Sequence, residues 1–433
     1  MTESFIKTYK YDNGEIQRVQ VITCDSFDNL RFFKPEGSQK AFEKIVDLYK
    51  NFIVPKCPWV FKKMVLFKAE DDMSPKDIEF LRESVRVKGG KAVCNNEKAD
   101  GIIRKLEESG KLSVVCGKLP GTKLLPVGNS FGFLSESLLD AKVKANSNFF
   151  IMDCFDVGSV YDRIGTPLGL MVKDGKVLNP PLFDREALIV HGDDSVEVRS
   201  ISLKELTFSI GDNEFKEDGT AVIYERPKTC KVPKSMTGKF LVVVGCRVEA
   251  VILKGGFDVP SSGFVLKIPE DAKVNVGDNV EYKGLEDVKF AVQVGNSIVV
   301  NGEKTEGFVS KFYNIYKNLG RRAYPPSLYP LDYEKARAPR MAMGAGRDGK
   351  PCLFWAEGPK KTGYVPGAQS RGASLSEMAD IAIDLGLYNA VNLDGGGSAQ
   401  ILLDNKRSLT VSDRNPSDDS DAERAVPVGI YIP

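Results

Sequence analysis

The segment best suited to chemistry is the Asp-Gly-Gly-Gly-Ser run at residues 394–398. A short apolar stretch, residues 390–393, precedes it and predicts a strand that ends at Asp394. Glycine has no Cβ, so three glycines in a row let backbone N–H groups approach a bound anion or sugar. A carboxylate beside such a loop is a common place for catalysis. The alternative is a tight turn after a strand.

A helix must lie directly before this strand. Ser374 and Glu377 have the spacing of a capping box, and Gly386 stands where a helix-ending glycine is expected. The apolar face of the predicted helix consists of Leu375, Met378, Ala379 and Ala382. A helix followed by a strand would give the Asp394 loop a rigid support.

The pattern of predicted secondary structure changes near residue 110. Residues 1–110 alternate between helix and strand patterns, with one helix predicted from Ser74 to the glycines at 89–90. Residues 111–433 show many short strand patterns separated by turn signals, such as the hairpin at Asp174-Gly175. We therefore predict an α+β chain, in which a mixed-sheet domain of many short strands follows a smaller α/β domain of unknown role.

Composition limits the classes of partner. The 60 Lys and Arg residues nearly balance the 59 Asp and Glu residues, and no basic run is present, so neither a nucleic-acid nor a membrane partner is predicted. The start of the chain lacks an apolar signal-peptide region, and the eight cysteines form no C-x-x-C pair. We expect a cytoplasmic protein with reduced thiols; association with a virion stays open.

Two other features bear on the site. His191 is the single histidine, and its place in a predicted turn favours a structural role, which leaves acid–base chemistry to carboxylates. The proline-rich stretch at residues 324–330 predicts an extended loop and a candidate lid.

Several blocks, in the same order, resemble the phosphodiester glycosidase family. They are Asn-Ser-Asn-Phe-Phe at 146–150, Pro-Leu-Gly-Leu at 167–170 with its hairpin to 177, Pro-Arg-Met-Ala-Met-Gly at 339–344, Asn-Leu-Asp-Gly-Gly-Gly-Ser at 392–398, Asn-Pro-Ser-Asp at 415–418 and Glu-Arg-Ala-Val-Pro at 423–427. The chain departs from the family at Ser147-Asn148, where two glycines are usual, and at 290–296, which is less glycine-rich. Both departures would reshape the pocket.

The resemblance implies that residues 111–433 form a phosphodiester glycosidase domain. Such an enzyme hydrolyses the glycosidic bond of a sugar-1-phosphodiester, for example an N-acetylglucosamine-1-phosphodiester, and releases the sugar and a phosphomonoester. Cleavage at the anomeric carbon builds oxocarbenium character and needs nearby carboxylates. Phosphate is already a good leaving group, so stabilising its charge matters more than protonating it.

The resemblance also implies the catalytic residues. Asp394 is the expected central carboxylate, as nucleophile or base. Glu357 is the expected second carboxylate, unless it is a solvated acid at a strand end. Arg340 is expected to hold the phosphate, because a guanidinium matches phosphate oxygens in a two-pronged geometry.

A second group is expected to bind the substrate. The two asparagines would hydrogen-bond sugar hydroxyls or else brace the loop, while the remaining members would surround the phosphate. The serine could instead cap the next strand, and the arginine could pair with Asp418, Asp419 or Asp421. The full set is Asn146, Asn392, Gly395, Gly396, Gly397, Ser398 and Arg424.

The expected partner is a small-molecule or glycan sugar phosphate, and no cofactor is required. The acidic cluster Asp418, Asp419, Asp421 and Glu423 could bind calcium through its oxygens or simply form a solvated loop. Two other functions stay open. One is hydrolysis of a nucleotide-linked sugar, and the other is a non-catalytic sugar-phosphate binding or structural module of a cell surface or phage particle.

Overall fold

The chain folds mostly into β-structure. The computed structural model describes residues 2–69, 73–152, 154–182, 185–219, 221–226, 228–305, 337–360, 364–415 and 417–433. Strands make up 41% of the structure and helices 16%, which confirms many short strands in several small sheets. The α+β class and a separate α/β domain stay predictions, and the candidate lid at 324–330 lies outside the described residues.

In the described residues, the first half of the chain holds the α-helices α1 (Gln39–Leu48), α2 (Val54–Lys56), α3 (Pro75–Ser84) and α4 (Glu97–Glu108). Its strands are β1 (Thr2–Lys10), β2 (Ile16–Cys24), β3 (Arg31–Phe33), β4 (Lys62–Lys68), β5 (Val85–Lys88), β6 (Lys91–Cys94), β7 (Leu112–Val115), β8 (Leu119–Val127), β9 (Val143–Asn146), β10 (Met171–Lys173), β11 (Lys176–Asn179), β12 (Glu186–His191), β13 (Val196–Ser200), β14 (Thr207–Ile210) and β15 (Asn213–Phe215).

The second half contributes helix α5 (Leu375–Asp384). Its strands are β16 (Val222–Glu225), β17 (Thr237–Val244), β18 (Arg247–Lys254), β19 (Gly263–Ile268), β20 (Glu281–Lys283), β21 (Val288–Gln293), β22 (Ser297–Val300), β23 (Glu303–Lys304), β24 (Arg340–Gly346), β25 (Pro351–Ala356), β26 (Leu387–Asn392), β27 (Ile401–Leu403), β28 (Lys406–Arg407) and β29 (Gly429–Ile432). Within the described part of the chain, no helix is both long and apolar enough to cross a membrane.

A seven-stranded sheet supports the Asp394 loop. Its strand order is β1-β2-β25-β24-β26-β22-β23, and β24 pairs antiparallel with both β25 and β26. The N-terminal hairpin β1–β2 forms one edge, because residues 19–23 pair with residues 352–356. The boundary predicted near residue 110 is therefore crossed by strand pairing, since residues 2–24 lie in the same sheet as β26.

A second sheet packs against this one. It has the order β28-β27-β9-β29-β3, and the loop at 393–400 leads from β26 in the first sheet to β27 in the second. Side chains of both sheets share one apolar core, which includes Met341, Trp355 and Val391 from the first sheet and Ala145 and Ile401 from the second. Burial of this apolar surface fixes the spacing of the two sheets between which the Asp394 loop runs.

Helix α5 covers the opposite face of the seven-stranded sheet, as its pattern predicts. Its face of Leu375, Met378, Ala379 and Ala382 is buried in a core with residues of β24, β25 and β26. Ser374 accepts a hydrogen bond from the Glu377 N–H at 3.2 Å, and the Glu377 carboxylate accepts one from the Ser374 N–H at 2.9 Å. Gly386 adopts φ +79°, as a helix-ending glycine does.

One predicted helix is shorter than expected. Helix α3 begins with the capping box of Ser74 and Asp77 but ends at Ser84, not near residue 89. Residues Val85–Lys88 instead form a strand that pairs with Lys91–Cys94. Gly89 and Gly90 have φ +55° and +75°, so they supply the two positive φ angles of a tight hairpin turn. The β-branched valines, alternately placed, favour that hairpin over another helical turn.

The capping box gives a test of this packing. We expect Ser374→Ala to lower the free energy of unfolding by about 1 kcal/mol, because the first turn of α5 loses its side-chain acceptor. Urea denaturation followed by circular dichroism measures this. Ser376→Ala, in the same turn, is the matched control and should change stability by less than about 0.5 kcal/mol. Equal losses in both variants would contradict the assignment.

Candidate active site

Asp394 is held at the point where the chain passes from one sheet to the other. The preceding Leu393 N–H donates to Met341 O at 2.7 Å, which continues the pairing of β26 with β24. The Asp394 N–H donates to Ser147 O at 2.9 Å, and the Asn146 amide donates to Asp394 O at 2.6 Å. Both backbone groups of Asp394 are thus bound by the last residue of β9 and the residue after it, which fixes the position of the Asp394 backbone.

The surroundings of the Asp394 side chain change its acidity. Burial raises the pKa of this carboxyl from 3.8 to about 7. The Ser398 hydroxyl, the charge of Arg424 and the Gly395 N–H oppose the rise by stabilising the ionised form, but burial dominates. A carboxyl with a pKa near 7 can hold or release a proton at neutral pH, which is the property a general acid or base needs.

Two arginines stand on either side of the glycine triplet. Arg340, at the start of β24, is fully buried, and its Nε donates to Ala373 O at 3.1 Å. A Cβ added to Gly395 would lie 3.9 Å from Arg340 Cδ, so that side chain passes along the first glycine. A Cβ added to Gly397 would lie only 2.2 Å from Arg424 Nη2. Glycine at 397 is required for the guanidinium of Arg424 to rest on the loop.

Arg424 has a different ion-pair partner from those expected. It forms a two-pronged pair with Asp413, with Nε–Oδ2 at 2.8 Å and Nη2–Oδ1 at 3.1 Å. Of the alternative partners expected for Arg424, Asp418 accepts a hydrogen bond from Ser420 and Asp421 pairs with Arg414. Asp413 was missed because nothing local in Val-Ser-Asp-Arg-Asn at 411–415 marks it.

The glycine N–H groups have acceptors within the protein. The Gly396 N–H donates to Pro339 O at 2.8 Å, and Gly396 has φ +61°, a conformation that suits glycine. The Gly395 N–H interacts with the Asp394 carboxylate. The expectation that all three N–H groups surround a phosphate stays a prediction. In the structure, the Gly396 N–H holds the loop to the residue before β24, and the Gly395 N–H faces the Asp394 carboxylate.

The remaining polar residues brace the loop. Asn146 also accepts a hydrogen bond from the Gln400 N–H at 3.0 Å, and the Gln400 amide donates to Arg424 O at 3.2 Å. Asn392 is buried, and its amide donates to Leu393 O at 3.0 Å. Ser398 is buried in the short helical turn Gly396–Ser398, where its N–H donates to Gly395 O at 3.2 Å. For Asn146 and Asn392, these contacts favour bracing over the binding of sugar hydroxyls.

Residues 147 and 148, where the family has glycines, are both buried. The Ser147 hydroxyl donates to the Asn148 side-chain oxygen at 2.7 Å. The Asn148 amide donates to Leu168 O at 3.0 Å and to Gln293 O at 3.3 Å. These side chains fill space and join the β9 segment to two neighbouring segments.

Glu357 lies at the same edge of the sheet, one residue after β25. Its carboxylate accepts hydrogen bonds from Arg18 Nε at 2.7 Å, from the Ser370 hydroxyl at 2.5 Å and from the Thr410 N–H at 2.9 Å. It is not a solvated acid, because it is buried. Three donors from distant parts of the chain converge on it, which is the environment of a structural carboxylate.

The acidic cluster does not converge on one point. Asp418 accepts from the Ser420 N–H at 3.0 Å, Asp421 pairs with Arg414, and Glu423 pairs with Arg407 at 2.8 Å. Among the residues with described coordinates, no group of three or more His, Cys, Asp or Glu could hold a metal ion. His191 likewise lies elsewhere, with its ring nitrogens 2.9 Å from Asp287 and 3.1 Å from Glu197.

Parts of the chain are similar to known proteins. The phosphodiester glycosidase family model matches residues 251–433. The N-acetylglucosamine-1-phosphodiester alpha-N-acetylglucosaminidase of Homo sapiens is 38% identical over 74 residues, which is 17% of this chain. That match spans only 13% of the human protein's length.

Two solved structures are also similar. One is a hypothetical protein from Synechocystis, with 14% identity and a TM-score of 0.43 over 99% of this chain and 61% of that one. The other is the zebrafish N-acetylglucosamine-1-phosphodiester alpha-N-acetylglucosaminidase catalytic domain, auto-inhibited by its pro-peptide, with 13% identity and a TM-score of 0.36 over 100% of this chain and 82% of that one. The segment that the phosphodiester glycosidase family model matches, residues 251–433, carries Arg340, Asp394 and Arg424.

Proposed function

We propose that this protein is a hydrolase that cleaves the glycosidic bond of a sugar-1-phosphodiester, with an N-acetylglucosamine-1-phosphodiester as the first substrate to test. The observation that carries the proposal is a buried carboxyl with a pKa near 7, at the head of a glycine loop flanked by two arginines. The family of residues 251–433 supports the reaction class.

Asp394 is the proposed central group, acting as nucleophile or base in its ionised form. Burial holds its proton until about neutral pH, so the ionised carboxylate is desolvated and reactive when it forms. Its backbone is fixed on both sides by Asn146 and Ser147. A fixed, desolvated carboxylate is suited to stabilise positive charge that develops at an anomeric carbon.

Arg340 and Arg424 are the proposed cationic groups for the phosphate. Two guanidinium groups beside one loop can stabilise charge on a leaving phosphate oxygen without donating a proton to it. Asp413 holds Arg424 in a two-pronged pair and thereby sets the direction of its remaining N–H groups. We therefore propose Asp413 as a positioning residue for Arg424.

We propose a positioning role for Glu357 in place of the catalytic role first expected. Its carboxylate accepts hydrogen bonds that tie residues 18, 370 and 410 to the end of β25. Asp394, whose pKa burial raises to about 7, stays the proposed reactive carboxyl. The second catalytic group would then be supplied by water or by the substrate.

The first test is product release from a panel of sugar-1-phosphodiesters and nucleotide-linked sugars. We expect the wild-type protein to turn over at least one sugar-1-phosphodiester and Asp394→Asn to lose at least about 100-fold in kcat, because the amide cannot ionise. Asp404→Asn, at an exposed turn after β27, is the matched control and should keep its activity.

Other outcomes of the same assay are decisive. Turnover of nucleotide-linked sugars alone would redirect the substrate class. Saturable binding without any product would contradict the enzymatic function and favour a non-catalytic binding or structural module. Full activity in Asp394→Asn would contradict the assignment of Asp394 as the central catalytic group.

The raised pKa of Asp394 also predicts a dependence of stability on pH. Because the folded state keeps this proton up to about pH 7 while the unfolded state releases it near 3.8, wild-type stability is lost as pH rises through this window. The asparagine variant has no such loss. We expect its advantage in the free energy of unfolding to grow by about 1–3 kcal/mol between pH 5 and pH 8. Urea titrations at both pH values measure it, and a constant difference would contradict the shift.

Glu357→Gln separates the two roles of that carboxylate. A positioning role predicts a loss of about 1–3 kcal/mol in the free energy of unfolding, because charged hydrogen bonds to Arg18 are weakened in a buried site. It predicts a kcat within about tenfold of the wild-type value. A catalytic role would show the reverse, namely unchanged stability with kcat lowered as far as in Asp394→Asn.

A further inference from the structure

A cleft lies between the three-stranded sheet of β7, β4 and β8 and the four-stranded sheet of β16, β19, β17 and β18. Strands β4 and β8 and helix α3 form one wall, and the end of β16 with the residues near 258 forms the other. The volume of the cleft is about 380 Å³, which is the size of a small-ligand site. Its described lining includes none of the residues assigned above to the candidate active site.

The charges on its walls are unequal. Four cationic side chains line the cleft, Lys62, Arg82, Lys123 and Arg226, against one lining carboxylate, Asp258. Four positive charges less one negative charge leave a formal charge of +3 on this lining. Like charges gathered in a partly enclosed space repel one another, so the arrangement is favourable when an anion occupies it.

Arg226 is built into the wall of the cleft. The side chain is only 6% exposed, and its Nε donates to Val259 O at 2.7 Å. A Cβ on Gly158 would lie 3.1 Å from Arg226 Nη2, so the guanidinium rests against the glycine backbone. Across the described chain, no carboxylate is within ion-pair distance of this guanidinium. Its outer N–H groups are thus oriented by backbone contacts.

The neighbouring buried acid does not neutralise these cations by direct contact. Asp162 is fully buried, and its carboxylate accepts hydrogen bonds from the Ser159 N–H at 2.8 Å and the Ser159 hydroxyl at 2.9 Å. It also accepts from the Ser261 N–H at 2.8 Å and the Ser262 hydroxyl at 3.2 Å. Neutral donors therefore satisfy it, while Arg82 Nη2 donates to Ser159 O at 2.6 Å above it.

We propose that this cleft binds a small, multiply charged oxyanion of the phosphate class, with pyrophosphate as the probe that best matches its charge. Arginine side chains match phosphate oxygens in a two-pronged geometry, and lysines add charge at longer reach. The walls come from segments far apart in sequence, so an anion bound here holds β4 and β8 to the sheet that contains β16. Binding should therefore also stabilise the folded chain.

Isothermal titration calorimetry of the full-length chain with pyrophosphate, phosphate and sulfate tests the proposal. We expect saturable binding with one site per chain and pyrophosphate as the tightest of the three anions. Arg226→Gln should weaken pyrophosphate binding by about tenfold or more, because a desolvated charged contact is lost. Lys62→Gln, an exposed substitution on the other wall, should weaken it by about threefold or more.

Two control variants test whether pyrophosphate binds in this cleft. Lys254→Gln removes an exposed cation from the same small sheet but outside the cleft and should leave the affinity unchanged. Asp394→Asn should also leave it unchanged, which separates this cleft from the candidate active site. Circular dichroism checks that Arg226→Gln folds, and Lys62→Gln carries the test if it does not.

Three results would overturn the proposal. They are no saturable binding of pyrophosphate by the wild-type chain, an affinity unchanged in Lys62→Gln, and a loss in Lys254→Gln as large as in the cleft variants. An affinity lost in Asp394→Asn would likewise place the anion at the other site.

Discussion

The hydrogen bonds that fix the Asp394 backbone between two sheets are the constraint on which the site depends. Leu393 keeps the register with β24, while Asn146 and the Ser147 carbonyl bind the next residue from the other sheet. The shared core, with Trp355 fully buried, sets the gap that these bonds span. A change of spacing between the sheets would move the carboxylate directly, because no flexible linker absorbs it.

Burial of that carboxylate costs stability and supplies reactivity from the same cause. Removing a carboxyl from water disfavours its ionised form, which raises its pKa to about 7. The nearby arginine and serine recover part of the lost solvation, so the group still ionises near neutral pH. Many active sites hold such unfavourable groups, and the packing around them maintains the fold.

The departure at Ser147-Asn148 changes how this site is held. Where the family has bare backbone, this chain places two buried polar side chains whose hydrogen bonds join β9 to the segments at 168 and 293. The space that glycines would leave open is filled here. These filled positions are a physical reason to test several sugars and leaving groups.

The sequence by itself determined the local parts of this protein. The helix α5 with its capping box, the Asp-Gly hairpin at 174–175 and the strand that ends just before Asp394, at Asn392, all follow from hydrogen bonds and φ angles within a few residues. The glycine run also singled out the Asp394 loop, and the blocks resemble the family whose model matches residues 251–433. Such features are predictable because the residues that decide them are neighbours in the chain.

Only the tertiary structure decided which distant groups meet. The N-terminal hairpin β1–β2 joins the sheet of β26, Arg424 pairs with Asp413, and Glu357 binds donors from residues 18, 370 and 410. Such contacts depend on how the sheets stack and on which distant segments the fold brings together. The residue pattern of one segment does not specify the segment that will pack against it.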